Sequence, residues 1–301
     1  MKEIVRYTIR EEFFGALVYD RYEDSYLAFD EELLSALKLD ICEIRESLEL
    51  YQMLIDEGFI VDDNKNYIIF ANTHEGETLS SPARIHFYYT SKCNLNCAHC
   101  FTKKDNIGIE MTIDQKKDMV NQMTELGISE ILIGGGEPFA KEDFHEFVQY
   151  CLDNSISTKV FTNGLLLTEE MCKQIGRWNL TYLSVSVDGT TDDEYEKIRG
   201  VRGISVLKRN IAFLKKYCSF PIAISVTVGN DNYLDAEKYL RFAQECNVDR
   251  IKVRPTKPAG NVIDNPNVYL TPERYLEFIL TMQRAWNDHY KGQFRLDFSW
   301  G

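Results

Sequence analysis

Residues 93–100 read Cys93-Asn94-Leu95-Asn96-Cys97-Ala98-His99-Cys100, directly after a hydrophobic run at 84–89 with the composition of a β-strand. Thiolates on one short loop at the spacing C-x3-C-x2-C can hold three irons of a four-iron cluster. One iron is then left open to chelate a small molecule through nitrogen and oxygen. The competing reading is zinc, held by Cys93, Cys97, Cys100 and His99. Structural zinc sites usually draw on two separated ligand pairs, the sequence has no second C-x2-C, and His99 directly precedes Cys100. Both metals stay open at this level.

Outward from the loop, the chain alternates strands and helices. Strands are expected at 84–89, 130–133, 158–162, 182–187, 223–228 and 250–253, with helices at about 112–126, 141–153, 168–177, 203–217 and 232–246. Thr112 and Gln115 form a capping box, Gly127 ends that helix, and Pro272 follows Thr271 at a first helical turn. Six βα units imply parallel strands with right-handed crossovers. They are fewer than the eight of a closed barrel, so an α/β fold with a partial (β/α)6 barrel is expected. Ligands in such folds gather at the carboxyl ends of the strands. The cysteine loop lies there, as do Gly134-Gly135-Gly136-Glu137-Pro138, Thr162-Asn163-Gly164, Asp188-Gly189, Gly229-Asn230 and Arg254-Pro255.

Residues 93–100 resemble the C-x3-C-x-aromatic-C loop of the radical S-adenosylmethionine (radical SAM) superfamily, with His99 at the aromatic position. Gly135-Gly136-Glu137-Pro138 resembles that family's GGEP motif, and the resemblance spans 84–260. It implies one [4Fe-4S] cluster on Cys93, Cys97 and Cys100, with S-adenosylmethionine (SAM) bound at the remaining iron. It further implies an electron donor such as flavodoxin or ferredoxin, and reductive cleavage of SAM to methionine and a 5′-deoxyadenosyl radical that takes a hydrogen atom from the substrate. Glycines 134–136 let backbone approach a ligand closely, and with Glu137 can receive an ammonium. Ser186 alternates with Ser184 and Asp188, so it can point to the barrel mouth and offer a hydroxyl to a ribose, the contact it matches in the family. Arg199, in Lys-Ile-Arg-Gly, matches the arginine that pairs with the methionine carboxylate. Asn163 and His99 complete the candidate SAM contacts. The catalytic base and the bond formed are not legible.

The remaining cysteines read differently. Cys151, Cys172, Cys218 and Cys246 sit on apolar helix faces and Cys42 lies near the amino terminus, so one cluster is expected. Many peptide-modifying members of the family carry further clusters in a cysteine-rich carboxyl-terminal extension. No cysteine follows Cys246 up to Gly301, which leaves two alternatives, an enzyme working with one cluster or a longer chain that carries such an extension.

Residues 1–80 hold seven Lys/Arg and nineteen Asp/Glu, whereas the other 27 basic and 28 acidic residues nearly cancel. Short strands at 4–9, 16–19 and 26–29, helices from Asp30 and from Asp40, and a hairpin joining 59–61 to 67–70 suggest a small winged helix (α+β). The stretch 7–20 resembles the PqqD-like peptide-recognition domain (RRE) fused to many maturases of ribosomally made peptides. That implies a leader peptide bound along the open strand Ser25–Phe29 and the helix at 48–54 (Leu48, Tyr51, Leu54). The acidity opposes nucleic-acid binding. The expected division is a winged-helix domain at 1–72, a linker at 73–83, the barrel core at 84–260, and a carboxyl-terminal helix and tail at 261–301. No apolar run is long enough for a membrane span and Met1–Arg6 does not read as a signal peptide, so a cytoplasmic enzyme is expected. The expected activity is modification of a precursor peptide, with small-cofactor biosynthesis (a tetrapyrrole or metal–pterin substrate) or a cluster-based redox sensor as alternatives.

Overall fold

The computed structural model describes residues 5–71, 76–102 and 108–299; part of the expected linker, 73–75, lies outside them. The chain divides into two compact units. The first comprises Met1–Ile85, Thr112–Ile131 and Phe147–Ser157, and the second His86–Met111, Leu132–Glu146 and Thr158–Gly301.

In the first unit, β1 (Tyr7–Glu12), β2 (Gly15–Asp20) and β3 (Ser25–Phe29) form an antiparallel meander. Helices α1 (Glu31–Lys38), α2 (Ile41–Ile44) and α3 (Leu48–Asp56) follow, then a small hairpin, β4 (Ile60–Val61) with β5 (Asn64–Lys65), and β6 (Tyr67–Phe70). The second helical region breaks after α2, where Ser47 caps α3 by accepting from the Leu50 amide.

Two expectations change here. The first strand runs on to Glu12, and residues 67–70 do not pair with 59–61. Asp62 and Asp63 both have positive φ, 47° and 61°, which closes the hairpin within two residues. The chain is thereby freed to lay β6 parallel to β1, giving the order β3-β2-β1-β6. The core joins Tyr7, Ile9 and Val18 to Leu34, Leu37, Ile44 and Leu54, with Tyr7 stacked on Phe59 at 4.0 Å. Among the described residues, β3 has one edge without a strand partner.

Helix α4 (Ile113–Glu125) belongs to this unit and carries the expected Thr112/Gln115 capping box. Arg10 and Glu12, a buried ion pair within β1, tie the meander to the segment before β7: Arg10 donates to the Ser81 and Pro82 carbonyls at 2.9 and 3.0 Å, and Glu12 accepts from the Ser80 amide at 2.9 Å. Tyr26 donates to Glu130 at 3.0 Å.

A seven-stranded parallel sheet in sequence order dominates the rest: β7 (Arg84–Thr90), β8 (Glu130–Gly135), β9 (Ser157–Thr162), β10 (Tyr182–Ser186), β11 (Ile222–Val228), β12 (Arg250–Pro255) and β13 (Arg295–Phe298). Its helices are α5 (Phe144–Asp153), α6 (Glu169–Ile175), α7 (Asp192–Arg199), α8 (Ile204–Tyr217), α9 (Ala236–Glu245), α10 (Asn261–Asp264) and α11 (Pro272–His289). The expected six strands gain a seventh from the tail. Residues 295–298 alternate charge and apolar side chains in too short a run to stand out, and β12 supplies their partner. Helix α7 was also unforeseen, because Tyr195 and Ile198 are its only buried residues; the Thr191/Glu194 capping box was its legible signal.

Register fixes the faces, since residues directly opposite share one side of a sheet. Leu183 opposite Ile222 and Val185 opposite Ile224 are buried on the helical side. Ser186 lies opposite Ser225, Ser225 opposite Lys252, and Thr227 opposite Arg254, on the other side. The inner face is therefore polar towards the carboxyl ends of the strands.

Candidate functional site

A cavity of about 140 Å³ opens at the carboxyl end of the sheet, lined by Cys93, Cys97, Cys100, Gly134–Gly136, Asn163, Ser186 and Arg199 among others. The sequence motifs thus meet in one place. Of the expected site residues, Glu137, Pro138 and His99 are not in the wall.

The cysteine loop is held from several sides. Thr90 and the Ser91 amide donate to Glu110, whose other oxygen pairs with Lys141 at 2.9 Å. The Ala98 amide donates to the Ile198 carbonyl of α7 at 3.0 Å. Asn261, opening α10, donates through its amide to the Cys100 carbonyl and through Nδ2 to that of Cys97, both at 2.9 Å. Gly260 just before it has φ +58°, and a Cβ there would lie 2.3 Å from the carbonyl oxygens of Cys100 and Phe101. Glu110, Asn261 and Gly260 were not singled out from sequence, being lone residues far from the loop.

The glycine turn approaches equally closely. The Gly136 amide donates to the Thr90 carbonyl at 2.7 Å and that of Glu137 to the Lys92 carbonyl at 2.8 Å. A Cβ on Gly136 would lie 2.1 Å from the Lys92 oxygen. The Glu137 side chain is fully buried and accepts from Thr162 Oγ1 and the amides of Phe139 and Asn163. Burial raises its pKa against those three donors. The carboxylate is a brace between two loops, and only backbone of this motif reaches the cavity.

Asp188 is the hub behind the loop. Burial opposes its charge, but Arg199 and His99 outweigh that and hold its carboxyl well below the usual range. His99 Nε2 lies 3.2 Å from Asp188 Oδ2, which also pairs with Arg199 Nη2. Arg199 Nη1 donates to Cys97 Sγ at 3.4 Å. Asn163 Nδ2 donates to Asn94 Oδ1 at 2.8 Å, with Cys93 Sγ 4.0 Å away. Sequence reading placed Asp188 at the mouth without a role, since a lone Asp-Gly after a strand reads as a turn.

The cysteines suit an iron–sulfur ligand set. All three are free thiols and line the cavity. Burial raises the thiols of Cys93 and Cys97. Among the described residues no three Cys, His, Asp or Glu side chains are gathered as a ready-made metal site; Cys100 Sγ donates to the Thr102 carbonyl at 2.9 Å. His99 is turned to Asp188, so it does not serve as the fourth ligand that zinc would need. Cys151 and Cys172 are fully buried, with thiols pushed up by burial, as packed core cysteines are.

A sequence profile of the Radical SAM superfamily matches residues 87–243, a span that includes the cavity's lining. The chain belongs to the radical SAM superfamily. Members of that superfamily use a [4Fe-4S] cluster and SAM. In this radical SAM chain Cys93, Cys97 and Cys100 are the residues that would hold the cluster, which supplies the electron that cleaves SAM.

The chain is 29% identical over 211 residues to the AdoMet-dependent heme synthase of Methanosarcina barkeri, covering 68% of this chain and 60% of that protein. It is 22% identical over 224 residues to the PqqA peptide cyclase of Bradyrhizobium diazoefficiens, covering 74% and 59%. Thus it spans about three fifths of the length of these curated relatives. The crystal structure of Streptococcus suis SuiB bound to precursor peptide SuiA aligns with TM-score 0.71 at 14% identity, over 99% of this chain and 72% of that one.

Proposed function

We propose that this chain modifies a ribosomally made precursor peptide, capturing the leader with residues 1–72 and abstracting a hydrogen atom from the core peptide in the barrel (84–260). The observation that carries this is the free edge of β3 on an acidic amino-terminal sheet. An extended leader can add there as a further strand, with main-chain hydrogen bonds for affinity. Alignment with a peptide-bound protein over nearly the whole chain, amino-terminal unit included, supports the same reading. A second apolar surface lies on α3, where Leu48, Met53 and Ile55 are exposed and a hollow is lined by Leu48, Glu49, Gln52, Met53, Asp56 and Glu57. No β3 residue lines that hollow, so β3 and α3 are two separate candidate contacts for the leader. Cysteines 93, 97 and 100 bind the cluster. Backbone of Gly135 and Gly136, with Ser186, Asn163 and Arg199, contacts SAM, while Glu137, Pro138 and His99 shape the site from behind.

In this reading 73–83 is the linker, 261–301 completes the sheet with β13, and a flavodoxin or ferredoxin in the cytoplasm supplies electrons. No helix among the described residues is long and apolar enough to cross a membrane.

Anaerobic incubation of the reduced, reconstituted protein with SAM and a short peptide encoded beside its gene is expected to change that peptide's mass. If no neighbouring peptide binds or changes mass, the substrate assignment falls. The similarity to a heme synthase favours a second reading, a tetrapyrrole substrate, whose mark is conversion without any need for residues 1–80.

A further inference from the structure

The inner face of the sheet also carries a cation with no anionic partner among the described residues. Arg254, near the end of β12, is exposed, and its Nη2 donates to Ser225 Oγ on β11 at 2.7 Å. Its guanidinium lies over the Phe161 ring, 5.6 Å from the centroid. Phe161 lines the cysteine cavity and Arg254 does not. Phe161 is therefore a shared neighbour of the cysteine cavity and of the arginine, which lies on the same inner face of the sheet.

The groups within electrostatic reach of Arg254 are Asp188, Tyr182, Arg199 and Tyr88. Asp188, the one carboxylate among them, is already engaged by Arg199 and His99. Among the described residues Arg254 meets no carboxylate within ion-pair range. Tyr88 is exposed, stacks with exposed Phe101 at 6.4 Å, and has Arg254 and the Cys100 thiol within electrostatic reach. An arginine fixed by a hydroxyl and an aromatic face, with donors left over, is preorganised for a carboxylate. A cation without a counter-ion is costly to leave unmatched when substrate displaces the water around it.

We infer that Arg254 is the substrate-side anchor of this enzyme and binds the carboxylate of an acidic side chain, Asp or Glu, in the core peptide next to the residue attacked. This rests on the peptide-substrate reading and names the chemistry the core peptide must bring. No bond changes at Arg254; it is a positioning and specificity residue.

The test measures binding to the full-length, cluster-loaded protein under anaerobic, unreduced conditions with SAM present. The probes are the capped pentapeptides acetyl-Gly-Ala-Glu-Ala-Gly-amide and its Gln counterpart, and separately coproporphyrin III and its tetramethyl ester. The Glu peptide should bind about tenfold more tightly than the Gln peptide, the scale of one charge-assisted pair. Arg254→Met should reduce that preference to less than about twofold and Arg254→Lys should keep part of it, with SAM affinity and iron content unchanged in both. Equal binding of the two peptides to the wild type, no measurable binding of either at millimolar concentration, or an unaltered Glu preference in Arg254→Met overturns the inference. A tenfold loss of SAM affinity in Arg254→Met also overturns it, by moving the arginine to the cofactor. Arg254-dependent binding of coproporphyrin but not its ester, with neither pentapeptide bound, overturns the peptide class while keeping a carboxylate. Failure of the mass-change experiment with a retained Glu preference would instead count against the peptide-modifying reading alone.

Discussion

Asp188 and Arg199 form a buried ion pair directly behind the cysteine loop, with the arginine's other nitrogen on Cys97 Sγ. Arg199 ends α7 and Asp188 follows β10, so the pair binds strand end, helix end and loop into one unit. The arginine expected to meet the methionine carboxylate of SAM thus already has a carboxylate of its own, and any SAM contact adds to that one.

Replacing Asp188 by Asn leaves Arg199 buried without its counter-charge. Breaking a buried pair from one side costs about 3–5 kcal/mol, so the unfolding temperature should drop by several degrees and reconstituted iron per chain should fall. The double variant Asp188→Asn, Arg199→Gln should regain most of the stability. Equal losses in the single and double variants would show that the pair is not what holds the loop.

Gly260→Ala forces a Cβ against the Cys100 and Phe101 carbonyls at a φ of +58°. A strain of roughly 1–3 kcal/mol concentrated on the loop should lower iron content more than global stability. Gly108→Ala, where nothing lies within 4 Å of the new carbon, is the matched control and should bind iron as the wild type does. Metal analysis beside thermal unfolding separates the two effects.

Glu110 is held down to about 2 by Thr90, then by Lys141 and the Ser91 amide, against the burial that raises it. A depressed folded-state pKa stabilises the protein above the unfolded-state value of 4.5 and loses that contribution as pH falls from there towards 2. Glu110→Gln should therefore destabilise at pH 7 by roughly 2–3 kcal/mol and flatten the acid limb of the stability profile below pH 5. An unchanged slope between pH 5 and 3 in urea-unfolding series would refute the assignment.

Leader capture on the amino-terminal unit predicts separable damage. Leu27→Asp on β3 and Met53→Glu on α3 each place a charge at an exposed apolar position, 44% and 41% accessible, so neither should unfold the domain. Both should weaken binding of the neighbouring-gene peptide by at least about tenfold. Peptide-independent release of 5′-deoxyadenosine should be unchanged. If only one variant weakens binding, the leader uses that surface alone.

Residues 93–100 and 134–138 determined the family from sequence alone, because ligand type and close backbone approach are local properties carried by residue identity and spacing. The strand–helix alternation fixed the α/β class for the same reason, since periodicity is local. Helix α7 and β13 escaped because each is short and weakly apolar, and each is stabilised by partners distant in sequence: Cys97, Asp188 and the α8 amides for α7, and β12 for β13. The parallel docking of β6 on β1 was hidden in the same way by a two-residue turn. Only the tertiary structure could turn Glu137 inward as a brace, gather Glu110, Asn261 and Gly260 around the cysteine loop, and spend the Asp188 charge on Arg199. Those are contacts between residues dozens of positions apart, and whether a carboxylate is a brace, a counter-ion or a ligand depends on which donors reach it.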